Sequence, residues 1–180
     1  RRERDGRTSI LADQYDGKRL NAPNDVTLQR STGAIWFSDP VYGIMTDYEG
    51  GKQVPERPPA LYRLDANGQL SIASDDFTGP NGLAFSPDET RLYVTETGDQ
   101  FDPHTDRHIR VFDLQDGKLS NGRIFARISP GYADGIKCDV DGNLWCSAGD
   151  GVHCLSPAGD VLGKIVIGDT VSNLCFGGRN

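Results

Sequence analysis

The chain has 180 residues, of which 26 are acidic and 19 are basic, so its formal net charge is −7. This acidity argues against nucleic-acid binding, because such binding relies on clustered Lys and Arg that neutralise phosphates. No apolar run reaches the roughly 18–20 residues of a membrane-spanning helix, so we expect no membrane partner either. The 22 Gly and 10 Pro residues predict many short strands joined by turns.

The N-terminus and the cysteines bear on the extent of the chain and on its compartment. The sequence begins Arg1-Arg2 without Met, which predicts a piece of a longer protein, truncated at both ends. Three cysteines, Cys138, Cys146 and Cys154, lie in apolar strand patterns without a C-x-x-C pair. We therefore expect buried thiols and no zinc knuckle, with a disulfide between neighbouring strands as the alternative. Cysteines that remain thiols favour a cytoplasmic location. A periplasmic location is the alternative, because the expected N-terminus is missing from the sequence.

The first part of the chain combines strand patterns with turn signals. Residues 10–20 predict two short strands around an Asp-Gly turn. Residues 21–39 predict a strand in which Val26 and Leu28 alternate with polar neighbours, followed by a turn and an apolar return strand. Residues 60–72 predict a hairpin that turns at Asn-Gly. We find no convincing amphipathic helix.

Residues 40–59 interrupt this regular pattern. The segment is irregular and rich in Gly and Pro, and its length marks it as an insertion. Long loops of this kind are often functional. We expect Tyr42, Met45 and Tyr48 to form either a lid over a site or a packed outer loop.

The strand-turn-strand unit of residues 21–39 recurs along the chain. Residues 78–96 contain a Pro-Asn-Gly corner, an apolar strand, a Ser-Pro-Asp-Glu turn and a return strand rich in β-favouring residues. Residues 133–147 form a third copy, and residues 172–176 begin a fourth. A hairpin pattern follows each complete copy, so each unit predicts four strands.

The spacing of two sets of residues supports the repeat. The polar corners are separated by 57 and 53 positions, and they are Asn24, Asn81 and Asp134. The aromatic residues of the return strands are separated by 57 and 52 positions, and they are Trp36, Tyr93 and Trp145. Four short strands in about 50 residues is the pattern of a propeller blade. We therefore predict an all-β propeller, with residues 1–180 forming one partial domain of about three and a half blades.

The three corners are candidate ligands because the first strand of each blade lines the central channel of a propeller. Asn24, Asn81 and Asp134 would then point into one end of that channel. Two amides and one carboxylate form an oxygen-only set, which suits a hard cation such as Ca²⁺. The alternative is that they are turn residues, since Asn and Asp favour corners anyway.

Other polar residues have less specific patterns. We expect Asp25 to organise its own corner through backbone hydrogen bonds. Asp39 and Glu96 end their return strands, where they would face either the channel mouth or solvent. Three converging ligands would be needed for a zinc site, and we do not expect one from the scattered His104, His108 and His153.

Several irregular runs carry a resemblance to a known family. They are L-N-A-P-N-D-V (20–26), I-W-F-S-D-P-V-Y-G-I (35–44), G-P-N-G-L-A-F-S-P-D (79–88), A-D-G-I-K-C-D-V-D-G-N-L-W (133–145), S-A-G-D-G-V-H (147–153) and S-N-L-C-F-G-G (172–178). The chain resembles the bacterial gluconolactonase branch of the family of senescence marker protein (regucalcin), gluconolactonase and luciferin-regenerating enzyme. The resemblance implies a six-bladed β-propeller with a divalent metal in its channel, often Ca²⁺ or Zn²⁺, and hydrolysis of lactones.

The resemblance also implies roles for individual residues. Asn81 matches the metal-binding asparagine of the family, and Asp134 matches its metal-binding aspartate and general base. Asn24 matches a position that contacts the substrate or, at longer range, the metal. The family's first-blade Glu ligand has no counterpart in this chain. Regucalcin-like members carry an Arg where this chain has Ala22, so that substrate contact is absent and sugar-lactone specificity stays open.

The activity implied is metal-dependent hydrolysis of a small sugar lactone, as in a gluconolactonase. Ca²⁺ is favoured as the cofactor, with Zn²⁺ as the alternative. The cation would polarise the lactone carbonyl while Asp134 takes a proton from water, and a hydroxide on the cation is the alternative base. The alternative functions are a propeller that binds Ca²⁺ or a protein partner without turnover.

A ring of six blades needs roughly 290 residues at about 50 per blade. A chain of 180 residues would leave the ring open, with blade faces and strand edges exposed. We therefore expect the chain to be poorly stable or inactive on its own, and its oligomeric state stays open.

Overall fold

A computed structural model of the protein describes residues 1–99 and 102–178. Within these residues the chain forms three four-stranded antiparallel sheets and one two-stranded hairpin. The hairpin pairs β1 (Gln14–Tyr15) with β2 (Lys18–Arg19). Asp16 and Gly17 turn it with φ values of 52° and 71°. Two successive positive φ angles match the right-handed twist of the strands, so the predicted Asp-Gly turn is confirmed.

The first sheet forms from residues 26–74. Its strands are β3 (Val26–Gln29), β4 (Ala34–Asp39), β5 (Ala60–Leu64) and β6 (Leu70–Ser74), and each pairs with the next one along the chain. The loop between β4 and β5 contains a one-turn helix, α1 (Tyr42–Met45), where we expected no helix. Across the described ranges, no helix is long and apolar enough to cross a membrane.

The second and third sheets repeat the same strand order. The second contains β7 (Pro80–Phe85), β8 (Arg91–Glu96), β9 (His108–Gln115) and β10 (Lys118–Ala126). The third contains β11 (Ile136–Cys138), β12 (Leu144–Ala148), β13 (Gly151–Leu155) and β14 (Val161–Val166). Three four-stranded units in sequence confirm the three predicted complete copies, which we call blades 1, 2 and 3.

The segment at the predicted fourth copy has no regular secondary structure. Residues 167–178 form no strand, so the half blade predicted to begin at residues 172–176 stays a prediction. A strand needs a neighbour to satisfy its backbone groups, and the described residues supply no complete partner strand there. The segment nevertheless lies against blade 3, because Gly135 N donates to Ser172 O at 2.8 Å and Phe176 packs edge-on against Trp145.

Return-strand aromatics fill the space between successive blades. Trp36 of β4 is fully buried and packs edge-on against Phe85 of β7, with ring centroids 5.7 Å apart. Tyr93 of β8 is buried in the cluster between blades 2 and 3, which Cys138 of β11 also joins. The regular spacing of the aromatics thus reflects a repeated contact, since the aromatics of the return strands of blades 1 and 2 pack against the first strand of the following blade, and Trp145 packs against Phe176 of the following segment.

The first strands of blades 2 and 3 meet with almost no space between their corners. Gly82 N donates to Asp134 O at 3.2 Å, and a Cβ on Gly82 would lie 2.2 Å from that oxygen. A Cβ on Gly135 would meet the side-chain amide of Asn173 instead, with the Asn173 Cγ 2.3 Å away. Close approach of the backbone of the next blade therefore requires glycine at position 82.

All four cysteines are free thiols. Cys146 and Cys154 are buried, as predicted, whereas Cys138 is only half-buried. Burial raises the pKa of Cys138 to about 11, so its thiol stays protonated at neutral pH.

The close approach at Gly82 gives a stability prediction. We expect Gly82→Ala to lower the free energy of unfolding by at least about 2 kcal/mol, because the added Cβ overlaps the backbone of blade 3. Gly163→Ala in β14 is the matched control, since nothing lies within 4 Å of its added Cβ, and it should change stability by less than about 0.5 kcal/mol. Urea unfolding of both variants measures the difference, and equal stabilities would contradict the proposed contact.

Candidate active site

The corners of the three blades converge on one pocket of about 190 Å³. Its lining residues come from all three blades and from the loop after β4, and they are Asn24, Tyr42, Glu49, Asn81, Thr97, Tyr132 and Asp134. The structure thus brings together the three corner residues selected from the sequence. Four further residues were not selected as ligands or substrate contacts.

Asp134 is the most firmly positioned of the three corner residues. Its N–H donates to Ser147 Oγ at 2.8 Å, which ties the corner to β12 of the same blade. Its carbonyl oxygen accepts from Thr95 Oγ1 at 2.9 Å and from Gly82 N, which ties it to blade 2. These backbone contacts fix the Cα of Asp134 and leave its carboxylate to line the pocket.

The carboxylate of Asp134 is electrostatically destabilised. Its pKa is raised from an ordinary 3.8 to about 6, first by burial and then by the negative charge of Asp25. The charge of Glu49 adds to this effect, whereas a hydrogen bond from the Asn81 side chain opposes it. A carboxylate in this position gains from either a proton or a nearby cation.

Asn81 supplies a buried acceptor without a donor. The residue is 6% exposed, and its Oδ1 has no hydrogen-bond partner among the residues that the structure describes. An unsatisfied buried carbonyl costs about 1–3 kcal/mol, so such atoms often mark a place for a ligand. Asn24 is exposed at the rim of the same pocket.

The described residues contain no group of three or more His, Cys, Asp or Glu side chains arranged to hold a metal ion. Any cation in the pocket would therefore depend on amide oxygens as well as carboxylates. Asn24, Asn81 and Asp134 provide that chemistry, because all three present oxygen donors to one space.

Asp25 combines a structural contact with a charge effect. Its Oδ1 accepts from Val26 N at 2.8 Å, which agrees with the expected role in organising the corner. Its buried Oδ2 has no hydrogen-bond partner and lies 3.8 Å from Lys137 Nζ. Sequence reasoning missed its proximity to Asp134, because the two residues are 109 positions apart.

Asp39 and Glu96 are buried and accept hydrogen bonds from backbone N–H groups, so neither projects into solvent, which was one of the two alternatives stated for them. Glu96 accepts from the backbone N–H groups of Gly79 and Gly98 at 2.7 and 2.8 Å, and from that of Thr78 at 2.9 Å. Asp39 is fully buried, and its two oxygens accept from the N–H groups of residues 21 and 22. Each carboxylate fastens the segment that precedes a corner to the end of the return strand.

The loop after β4 contributes the wall of the pocket. The Tyr42 hydroxyl lies 3.0 Å from the carbonyl oxygens of Gly79 and Gly98, which anchors α1 to blade 2. Burial raises the pKa of Tyr42, so its hydroxyl stays protonated. Tyr48 is 92% exposed, so only Tyr42 of the aromatic residues predicted as a lid reaches the pocket.

A larger open depression of about 410 Å³ is lined by the segment between β6 and β7 and by the loop between β8 and β9 with the strand ends that flank it. Its arginine and two of its aspartates already have partners. Arg110 pairs with Asp76, and Asp106 pairs with Arg127. The pocket at the corners differs because it combines an unsatisfied buried acceptor with an unneutralised carboxylate, so we take it as the candidate active site.

Comparison with known proteins identifies the family. The model of the SMP-30/gluconolactonase/LRE-like region matches residues 2–180. The chain belongs to this family. The expectation from the sequence runs is therefore confirmed at the level of the family.

Members of the family with names or structures resemble this chain over most of its length. A gluconolactonase of Zymomonas mobilis is 36% identical over 180 residues, which cover 94% of this chain and 49% of the relative. The structure of a gluconolactonase of Xanthomonas campestris is 40% identical, with a TM-score of 0.89, over 97% of this chain and 57% of that one. The chain thus spans about half the length of the family members it matches.

A more distant structure supports the fold alone. Regucalcin of Agrobacterium tumefaciens, described as a calcium-binding protein, is 23% identical with a TM-score of 0.64, over 84% of this chain and 48% of that one. The all-β class and the blade architecture agree with the prediction. Six blades stay a prediction, because the described residues form three.

The raised pKa of Asp134 gives a pH-dependent prediction for the metal-free protein. Well below pH 3.8 Asp134 is protonated in both the folded and the unfolded state, so its ionisation has no effect on stability. Above pH 6 the folded state must hold a disfavoured carboxylate, at a cost of about 1–2 kcal/mol after allowance for partial solvent exposure. Asp134→Asn should remove that cost, so the stability advantage of the variant over the wild type should be full at pH 8 and small at pH 4.

Urea unfolding with EDTA across pH 4–8 measures this difference. Asp88→Asn is the matched control with the opposite sign, because hydrogen bonds from Ser86 and Thr90 lower the pKa of Asp88. That variant should be less stable than the wild type at pH 8. A destabilised Asp134→Asn at pH 8 would show that the carboxylate is not strained.

Proposed function

We propose that this chain forms part of the active site of a lactone hydrolase, which opens a sugar lactone with the help of a divalent cation. The observation that carries the proposal is the destabilised carboxylate of Asp134 beside the unsatisfied Oδ1 of Asn81, in a pocket at the blade corners. Family relatives named gluconolactonase support lactone hydrolysis as the reaction.

The residues of the pocket fit a divalent cation. Asn81 Oδ1 lacks a donor, and Asp134 lacks a neutralising charge, so a cation between them would remove both costs. The donors are all oxygens, which favours Ca²⁺ over Zn²⁺. Asn81 and Asp134 would be direct ligands, and Asn24 would contact either the cation or the substrate.

The remaining steps follow from the chain's own groups. A bound cation would supply positive charge that stabilises the oxyanion formed at the lactone carbonyl. Asp134 orients a water molecule and accepts its proton as the water oxygen bonds to the carbonyl carbon. The bond from that carbon to the ring oxygen then breaks, and the ring oxygen takes the proton that Asp134 holds and becomes a hydroxyl, which restores the carboxylate of Asp134. The product is an open hydroxy acid, which loses a proton at neutral pH.

Asn81 and Asn24 have separate tasks in this scheme. The Asn81 amide donates a hydrogen bond to Asp134 and holds its carboxylate in the pocket. Asn24 is exposed at the rim, where its amide can bind a substrate hydroxyl. Ala22 provides no such contact. Its Cβ lies close to Gly43 of α1, since a Cβ added to that glycine would stand 2.9 Å from it.

The first activity prediction concerns the base. Asp134→Asn keeps the shape of the side chain but removes its ability to accept a proton, so kcat should fall by about 10²–10⁴-fold. Hydrolysis of glucono-1,5-lactone by the protein at its full length, followed by acid release at constant pH, gives the rate. Asp160→Asn, at an exposed turn remote from the pocket, should keep the wild-type rate. An undiminished rate of hydrolysis in Asp134→Asn would contradict the proposed role of Asp134 as the base.

The second prediction concerns the cation. Removal of divalent ions with EDTA should abolish hydrolysis, and added Ca²⁺ should restore it. Calorimetric titration with Ca²⁺ should show binding to the wild type that weakens at least about tenfold in Asn81→Ala, because a ligand oxygen is lost. Hydrolysis that is unchanged by EDTA would refute the metal requirement. Cation binding without hydrolysis of any lactone would instead favour a binding protein.

A further inference from the structure

Glu49 is an acidic residue that the sequence did not single out, and it lines the candidate active site. It comes from the loop between β4 and β5, whereas the three corner residues come from the first strands of the blades or the segments before them. Its charge acts on Asp134, which places the two carboxylates within electrostatic range of each other. It is exposed, so its carboxylate is accessible to a molecule that enters the pocket.

The loop holds Glu49 in place through contacts on both sides of it. The Tyr42 hydroxyl anchors the start of the loop to blade 2. Gln53 N donates to Ile44 O at 3.0 Å and closes the loop beyond Glu49. Next to Glu49, Gly50 lies so close to the Gly43 carbonyl that an added Cβ would stand 2.4 Å from its oxygen. The segment that carries Glu49 is thus folded back on α1.

Among the described residues, no basic side chain lines this pocket. Two cationic residues near its lining have other partners. Lys137 pairs with Asp25, and Arg107 donates to the carbonyl oxygens of Thr97 and Asp99 while its guanidinium lies over the Tyr132 ring at 5.0 Å. The side chains of the pocket therefore offer negative charge and neutral polar groups to a ligand.

The proposed reaction changes the charge of the bound molecule. A sugar lactone is neutral, whereas the hydroxy acid formed from it carries a carboxylate at neutral pH. A fixed negative charge beside the pocket interacts only weakly with the neutral lactone and repels the negatively charged hydroxy acid. The same charge would act against any lactone that already carries a carboxylate or phosphate.

We propose that Glu49 is a specificity-determining residue, which selects neutral polyhydroxylated lactones and rejects anions, including the product of the reaction. The inference rests on the proposed lactone hydrolysis and adds a residue to it. Glu49 has no part in breaking the lactone bond. The Glu49 carboxylate can accept a hydrogen bond from a hydroxyl group of an uncharged sugar lactone. Its negative charge repels the acid product and so promotes product release.

The test compares Glu49→Gln with Asp116→Asn in the protein at its full length, with the same divalent ion present. Both substitutions remove one negative charge, but Asp116 lies in the β9–β10 turn, where its φ of 51° also suits Asn. The two measurements are the inhibition constant of gluconate against glucono-1,5-lactone, and the ratio of kcat/KM for the carboxylate-bearing glucaro-1,4-lactone to that for glucono-1,5-lactone.

For Glu49→Gln we expect gluconate to inhibit about 2- to 5-fold more tightly, and the preference ratio to shift by a similar factor toward the anionic lactone. Both effects should shrink in about 0.5 M NaCl, because salt screens charges near the surface. Asp116→Asn should match the wild type. Unchanged constants in Glu49→Gln, or changes that persist in high salt, would overturn the assignment of Glu49. A wild type that hydrolyses neither lactone would instead overturn the proposed function.

Discussion

The candidate site depends on the contact between the corners of blades 2 and 3. Gly82 N binds the carbonyl oxygen of Asp134, and no Cβ fits between them. This approach holds Asn81 and Asp134 side by side, with Asn81 buried and Asp134 half-buried. The consequences, within the described residues, are an amide oxygen without a donor and a carboxylate with a raised pKa. Fold geometry and candidate chemistry thus have one cause, because the contact that joins the blades also leaves this amide oxygen and this carboxylate unsatisfied.

The carboxylates at the ends of the return strands show that nearby hydrogen-bond donors determine whether a buried acidic residue has a structural role. Glu96 and Asp39 are more buried than Asp134, yet each is satisfied by two or three backbone N–H groups. Among the described residues, the Asn81 side chain is the donor identified for the carboxylate of Asp134, which also has two acidic neighbours. Backbone N–H groups bind the first two carboxylates as structural contacts, and burial raises the pKa of Asp39 as well, whereas the carboxylate of Asp134 lines the pocket.

The candidate site has two parts of different origin, the blade corners and the loop between β4 and β5. The blade corners supply the oxygen donors from positions set by strand pairing. The loop supplies Tyr42 and Glu49 from a segment that strand pairing does not constrain. Since loops tolerate changes of length and composition, the wall of the pocket could change while the corner donors stay in place.

The sequence by itself determined the repeating unit, the turns and the three corners that meet in the pocket. These features are local or periodic: an Asp-Gly turn needs only its own two residues, and a spacing of 57 or 53 positions places equivalent residues in equivalent blades. Only the tertiary structure decided which groups stand opposite one another. The charges of Asp25 and Glu49 raise the pKa of Asp134, and neither residue is related to Asp134 by the spacing of the repeat. The N–H groups that bind the Glu96 carboxylate belong to the segment before β7 and to the loop after β8. The absence of a strand at residues 167–178 has the same origin, because a β pattern becomes a strand only when a neighbouring strand satisfies its backbone.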